Sequence, residues 1–217
     1  MKKALFVWGG WDGHEPKQCI EKVSSELAKR GFETVISDTL ESYLDAELMA
    51  SVDLIVQCVT MSEITSEQSK ALRDAVKGGV GFGGWHGGMC DSFRNDTEYQ
   101  FMTGGQWVVH PGGDKAAYTV NILDKNDPII DGVKDFEITS EQYYMHVDPG
   151  VEVLATTTFS GQYEGIDWIK DVVMPMIWKK MYGKGKVFYS GLGHVAKDFD
   201  VPEVMETILR GLEWAAK

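Results

Sequence analysis

A chain of 217 residues with 43% hydrophobic content, seven Trp, nine Phe and eight Tyr has ample material for a packed core, which speaks against disorder. Its 21 Lys and Arg stand against 33 Asp and Glu, a net charge of −12, and no basic cluster offers a surface to a phosphate backbone or an anionic lipid headgroup. No apolar run approaches the ~20 residues that span a bilayer. Nucleic acid and membrane are therefore poor partners, and a small molecule is the better one, with a homo-oligomer left open. The opening "MKKALFVWGGWDGH" begins like a signal peptide, but its apolar stretch ends in glycines and Asp12. It reads as a first strand, and the expected location is the cytoplasm. No linker, repeat or low-complexity stretch divides the chain, so one domain is expected over 1–217. Cys19, Cys58 and Cys90 form no CxxC pair and no zinc-ribbon spacing.

In chain order, Lys3 to Trp8 predicts a strand ending in Gly9-Gly10. From Pro16, the residues Ile20, Val23 and Leu27 recur at helical spacing up to Gly31. Glu33 to Ser37 predicts a second strand. Val52 to Val59 predicts a third that is apolar on both faces, the mark of a parallel sheet. Thr65 and Gln68 have capping-box spacing ahead of a helix carrying Leu72, Ala75 and Val76. Val80 to Phe82 predicts the next strand, which runs into "GGWHGG". Further strands are expected at Gln106 to Val109, Ala117 to Leu123, Val151 to Thr157, Met174 to Lys179 and Lys186 to Ser190, with Gly183 and Gly185 turning the last pair. A final helix spans Pro202 to Ala216 and directs Met205, Ile208, Leu209 and Leu212 inward. Alternating strands and helices predict an α/β fold: a doubly wound, mostly parallel sheet with helices on both faces.

In such sheets ligands bind beyond the carboxyl ends of the strands. His14, His86, His110 and His194 each follow a predicted strand, and His146 lies in "SEQYYMHVDPG". One loop histidine is ordinary; several gathered at one sheet edge point to proton transfer or metal ligation. The run strand–"GWHGG"–helix has the form of a nucleophile elbow, which lifts one side chain above the sheet. Here that residue is His86, a general acid, a general base or a metal ligand. Cys90 falls one turn into the following helix, badly placed to act instead.

The motifs "WGGWDGHE", "GGWHGG", "GGQWVVHPGG", "NDPIIDGVKDFEITSEQYY", "MPMIWKKMYGKGKVFYSGLGH" and "ILRGLEWAAK" occur in that order. The sequence resembles the ThuA-like family, associated with trehalose utilisation and similar in fold to class I glutamine amidotransferases and, more broadly, flavodoxin-like sheets. The resemblance implies that the amidotransferase elbow cysteine is replaced by His86, and that His194 lies where their catalytic histidine region ends. Glutaminase chemistry needs a thiolate, so that activity is not expected. Where the family commonly carries an Asp-Glu pair, this chain reads Ser140-Glu141, which keeps Glu141 as a candidate and leaves no adjacent second carboxylate.

His14, His86, Glu141 and His194 are the expected catalytic set. The histidines His14, His86 and His194 are candidate ligands for zinc or another divalent transition metal, with Glu141 able to join them and one position open to water. Without metal, the same set could move protons on a sugar or keto-sugar, with Glu141 as base and a histidine as acid. Trp11, Trp85, Trp107 and Tyr143 offer aromatic faces for sugar C–H groups, Asp12 a hydroxyl acceptor, and His110 a further polar contact; Trp178 and Trp214 are expected in the core. No nucleotide cofactor is expected. The resulting expectation is an enzyme acting on a disaccharide, a glycoside or its keto derivative by hydrolysis or isomerisation. Its rivals are a metal-independent hydrolase using Cys90 or another nucleophile and a catalytically silent sugar-binding or accessory protein.

Overall fold

A computed structural model describes residues 1–217. The elements in chain order are β1 (Lys2–Gly10), α1 (Pro16–Lys29), β2 (Phe32–Ser37), α2 (Ala46–Ser51), β3 (Leu54–Thr60), α3 (Ser66–Gly78), β4 (Gly81–Trp85), α4 (His86–Cys90), α5 (Thr97–Thr103) and β5 (Gly105–Val109). They continue with β6 (Ala117–Ile122), β7 (Phe136–Thr139), β8 (Tyr144–Val147), β9 (Glu152–Thr158), β10 (Val173–Tyr182), β11 (Gly185–Ser190) and α6 (Pro202–Ala215).

Nine strands form one sheet in the order β2-β1-β3-β4-β11-β10-β9-β6-β7. The strands β2, β1, β3, β4 and β11 are mutually parallel. From β10 onward every pairing is antiparallel, so the second part of the sheet is a four-stranded annex. The α/β fold with a large parallel sheet flanked by helices is as the sequence predicts. The strand over Gln106 to Val109 also forms, but it pairs with β8 in a separate two-stranded ribbon.

Burial explains why the parallel strands read as unbroken apolar runs. Along β1, Ala4 and Phe6 join the core under α1 and α6, with Ile20, Val23, Leu27, Ile208 and Leu212. Leu5 and Val7 face the other way, onto Leu72 and Val76 of α3. Both faces are covered, so no polar alternation is needed. The Thr65/Gln68 capping box is present at the start of α3. Tyr182 pairs with Gly185 across the β10–β11 turn, and Gly183 sits at φ +61 at its first central position, as a two-residue hairpin turn with glycine there requires.

Four elements had no clear sequence signal: α2, α5, β7 and β8. Each spans seven residues or fewer, too short for a period to repeat. Trp178 is fully buried, as expected, whereas Trp214 is only partly so; Lys179 and Lys186 lie over its ring at 5.0 and 5.4 Å.

Candidate functional site

Three histidines leave the carboxyl ends of parallel strands. A short 3-10 turn, Asp12–His14, follows β1 and buries His14, whose Nδ1 hydrogen-bonds Thr60 Oγ1 at 2.9 Å at the end of β3. That bond fixes the ring and turns Nε2 inward. His86 begins α4 directly after β4 with φ +47, a left-handed conformation unusual for a non-glycine residue and characteristic of an elbow. The glycines around it serve close approach: a Cβ on Gly84 would lie 2.5 Å from Gln57 O, on Gly88 2.7 Å from Cys58 Cα, and on Gly87 2.6 Å from His14 Cε1. His194 follows β11 through Gly193, which takes φ +94.

Glu141 arrives from the annex, in the link between β7 and β8. The link is held from several sides. Ser140 N–H donates to Ala116 O, Tyr118 Oη–H donates to Glu141 O, and Gln142 Nε2 donates to Thr157 Oγ1 at 2.7 Å.

The carboxylate of Glu141 is ringed by imidazoles. Its Oε2 is 3.5 Å from His86 Nε2 and 3.7 Å from His14 Nε2; its Oε1 is 3.5 Å from His194 Nε2 and 3.7 Å from His110 Nδ1. These separations are too long for hydrogen bonds. They match the ligand-to-ligand edge of about 3.4 Å that a tetrahedral ion with bonds near 2.1 Å would impose. The donor atoms of His14, Glu141 and His194 all lie within 4.8 Å of one another. Both ring nitrogens of His86, His110 Nδ1 and Glu141 Oε2 are buried without a hydrogen-bond partner. Such groups cost roughly 1–3 kcal/mol each when left unpaired, a cost that a bound water, cation or substrate would relieve. Two or three imidazoles and a carboxylate are a donor set that suits zinc or a similar divalent transition metal.

Burial, reinforced by His14, His194 and His110, pushes the His86 imidazole well below its ordinary 6.5. The ring is therefore neutral at pH 7. His194 also moves down, through burial against the opposing pull of Glu141. Burial raises the Glu141 carboxyl, but the His14 contact and the charges of His194 and His110 outweigh it and leave the group below its usual range. Tyr143 is held as a neutral phenol, first by burial and then by Glu141, and its ring lies 3.8 Å from that of His86.

Of the residues singled out in the sequence, His14, His86, Glu141, His194 and His110 converge here, with Tyr143 beneath them. Within the candidate ligands, Glu141 joins His14 and His194 in the mutually close set, and His86 stands just outside it. Trp11, 48% exposed, packs edge-on to His14, and the Trp107 ring lies 5.6 Å from the His110 ring. Asp12 is exposed beside them. Trp85 is corrected: alternation along β4 turns it opposite to the site, into the core against Phe199, at 1% exposure, where it has no face for a sugar. His146 lies in β8 and is exposed, apart from the cluster. Cys90 is corrected as a nucleophile rival, because it is buried in α4 and burial drives its thiol far above the ordinary value.

Sequence reasoning did not pick out Thr60 or Arg94. Thr60 ends a strand, and the rule that site residues follow strands would have found it. Arg94 lies over the Trp107 ring at 4.6 Å and forks onto Asp91 at 2.6 and 2.8 Å, a pairing whose only sequence trace is an unremarkable i,i+3 spacing.

Solved structures share this architecture. A ThuA-like protein from Bacteroides uniformis superposes with a TM-score of 0.80 at 17% identity, covering 99% of this chain and 91% of its own. One from Parabacteroides merdae gives 0.74 at 19% identity, with 100% and 90% covered. A cytoplasmic protein from Salmonella typhimurium gives 0.71 at 13% identity, with 99% and 100% covered. No curated protein matches the sequence. No helix is long and apolar enough to cross a membrane. The family model for ThuA, described as trehalose utilisation, matches residues 3–215. With that match along almost its whole length, the chain belongs to the ThuA family.

Proposed function

We propose that this chain is a carbohydrate-processing enzyme in which His14, Glu141 and His194 hold a divalent transition metal and His86 moves a proton. The substrate is a disaccharide, a glycoside or its keto derivative, and the reaction is a hydrolysis or an isomerisation. The observation that carries the reading is the Glu141 carboxylate, set 3.5–3.7 Å from four imidazole nitrogens with its Oε2 lacking any hydrogen-bond partner.

A bound divalent cation supplies Lewis-acid polarisation of a carbonyl or hydroxyl oxygen. The remaining work falls to the protein. His14 is held in one orientation by Thr60, which directs its Nε2 toward Glu141. His86, neutral at pH 7 and free at both ring nitrogens, accepts a proton at Nε2 and returns it. Trp11, half-exposed at the rim, packs against sugar C–H groups, with Trp107 and His110 on another part of the rim.

Metal content of the purified protein, measured with turnover on a panel of disaccharides, glycosides and their keto derivatives before and after chelation, tests this reading. About one equivalent of transition metal and chelator-sensitive turnover are expected, both lost in Glu141→Ala. Sugar binding without metal or turnover would contradict it and favour a silent sugar-binding protein.

A further inference from the structure

Glu141 and His194 come from different parts of the sheet, yet one side chain touches both of their segments. Asp198, buried in the short turn Ala196–Asp200, accepts two hydrogen bonds on the same oxygen. Oδ2 receives Ser140 Oγ–H at 2.6 Å and the backbone N–H of His194 at 3.0 Å. Ser140 is the residue immediately before Glu141, and the N–H belongs to His194 itself. A single carboxylate oxygen thus ties the backbone carrying the acidic donor to the backbone carrying the imidazole donor. The same loop is leashed on its other side, where Ala196 N–H donates to Glu15 Oε2 at 3.0 Å, next to His14.

We infer that Asp198 is a positioning residue that sets the Glu141–His194 separation, without itself touching substrate or metal. Two hydrogen bonds to one buried oxygen are directional and shielded from water, so they fix the loops more firmly than surface contacts would. No other hydrogen bond joins the Ser140–Glu141 segment to the His194 loop. The bonds made by Ser140 N–H, Tyr118 and Gln142 hold the Glu141 link to the annex, and none of them reaches the His194 loop. The role does not depend on charge: an amide oxygen in the same place accepts both hydrogens.

The inference rests on the metal reading only in how it is assayed by affinity, so the test has a metal-free arm. In the full chain, Asp198→Ala, Asp198→Asn and Ser140→Ala are compared with wild type by thermal melting, by the ring resonances of His194 in metal-free NMR spectra, and by Co²⁺ titration followed in the visible band. Asp198→Ala should stay folded, shift the His194 resonances and weaken Co²⁺ binding about 10–100-fold with an altered spectrum. Asp198→Asn should stay close to wild type in both arms, and Ser140→Ala, which removes one leg and serves if Asp198→Ala fails to fold, should weaken Co²⁺ in the same direction. Wild-type resonances and affinity in both Asp198→Ala and Ser140→Ala would overturn the inference, as would an Asp198→Asn protein as impaired as Asp198→Ala. If wild type itself binds no Co²⁺, the proposed function fails, and the NMR arm still decides the role of Asp198.

Discussion

The two parts of the sheet contribute to the site in different ways. The parallel strands β1, β4 and β11 deliver His14, His86 and His194 from their carboxyl ends, each through a turn that follows the strand directly. The antiparallel annex delivers Glu141 from a link that belongs to no strand and is held by Tyr118, Gln142 and the Asp198 clasp. A parallel sheet with short loops brings its strand ends together by topology, and the residues beyond them need only local bonds such as His14 to Thr60 and the His194 N–H to Asp198. A connecting segment has no such frame, and its position must be imposed by hydrogen bonds to its neighbours. Rigidity in the first region is inherited from the sheet; in the second it is built residue by residue.

The sharpest way to break this division is at the seam between the two parts, the β10–β11 hairpin. A Cβ on Gly185 would lie 2.1 Å from Val76 O and 2.8 Å from Val80 O, both backbone atoms that cannot step aside. Gly185→Val should therefore destabilise the fold by about 3 kcal/mol or more, on the order of 10 °C in Tm at this chain length. Thermal melting checks it, and an unchanged Tm would mean that the seam is looser than described.

A smaller structural change isolates the parallel side of the site. A Cβ on Gly87 would meet His14 Cε1 at 2.6 Å and Tyr143 Oη at 2.8 Å, side-chain atoms that can shift. Gly87→Ala should keep the fold yet displace His14, lowering turnover by about 10²-fold. Kinetics alongside a melting curve separate the two effects, and wild-type turnover would show that the imidazole cluster tolerates disorder on this side.

That contrast also governs what could be read from the sequence. His14, His86 and His194 were legible because each stands just past an apolar run, and the elbow because glycines bracket one residue. Glu141 had no pattern of its own; β7 and β8 on either side of it are four residues each, and only the family motif around Ser140 drew attention to it. The Ser140–Asp198 bond joins positions 58 apart in sequence, a pairing that no local period encodes. Trp85 misled for a physical reason: it neighbours His86 in sequence, but successive strand residues face opposite sides, so the residue beside the elbow points into the core.

Acidification probes the parallel side more gently. Because burial holds the folded His86 imidazole below its ordinary 6.5, the unfolded chain binds that proton first as pH falls. Stability is then fully present above about pH 7 and declines through the window below 6.5, by the linkage between proton binding and folding. Tm measured from pH 8 to 5 should fall over that range, and His86→Gln should flatten the decline. An equally steep curve in the variant would place the sensitivity elsewhere. Glu141 acts lower: its depressed carboxyl contributes stability above about pH 4.5 that is lost on further acidification.

The smallest effect is expected at Cys90. Cys90 is buried in α4, and that burial holds its thiol protonated. Cys90→Ser should leave turnover within a few-fold of wild type in a steady-state assay. Complete loss in a folded variant would restore the thiol as a nucleophile and demote His86.

In the proposed metal site, strand-end imidazoles from one region meet an annex carboxylate from the other. Anomalous diffraction at the zinc edge, from crystals grown with one equivalent of Zn²⁺, tests this most directly. A single peak is expected about 2.0–2.2 Å from Glu141, His14 Nε2 and His194 Nε2, and it should disappear in Glu141→Ala crystals. No peak among these residues, or one retained without Glu141, would contradict it.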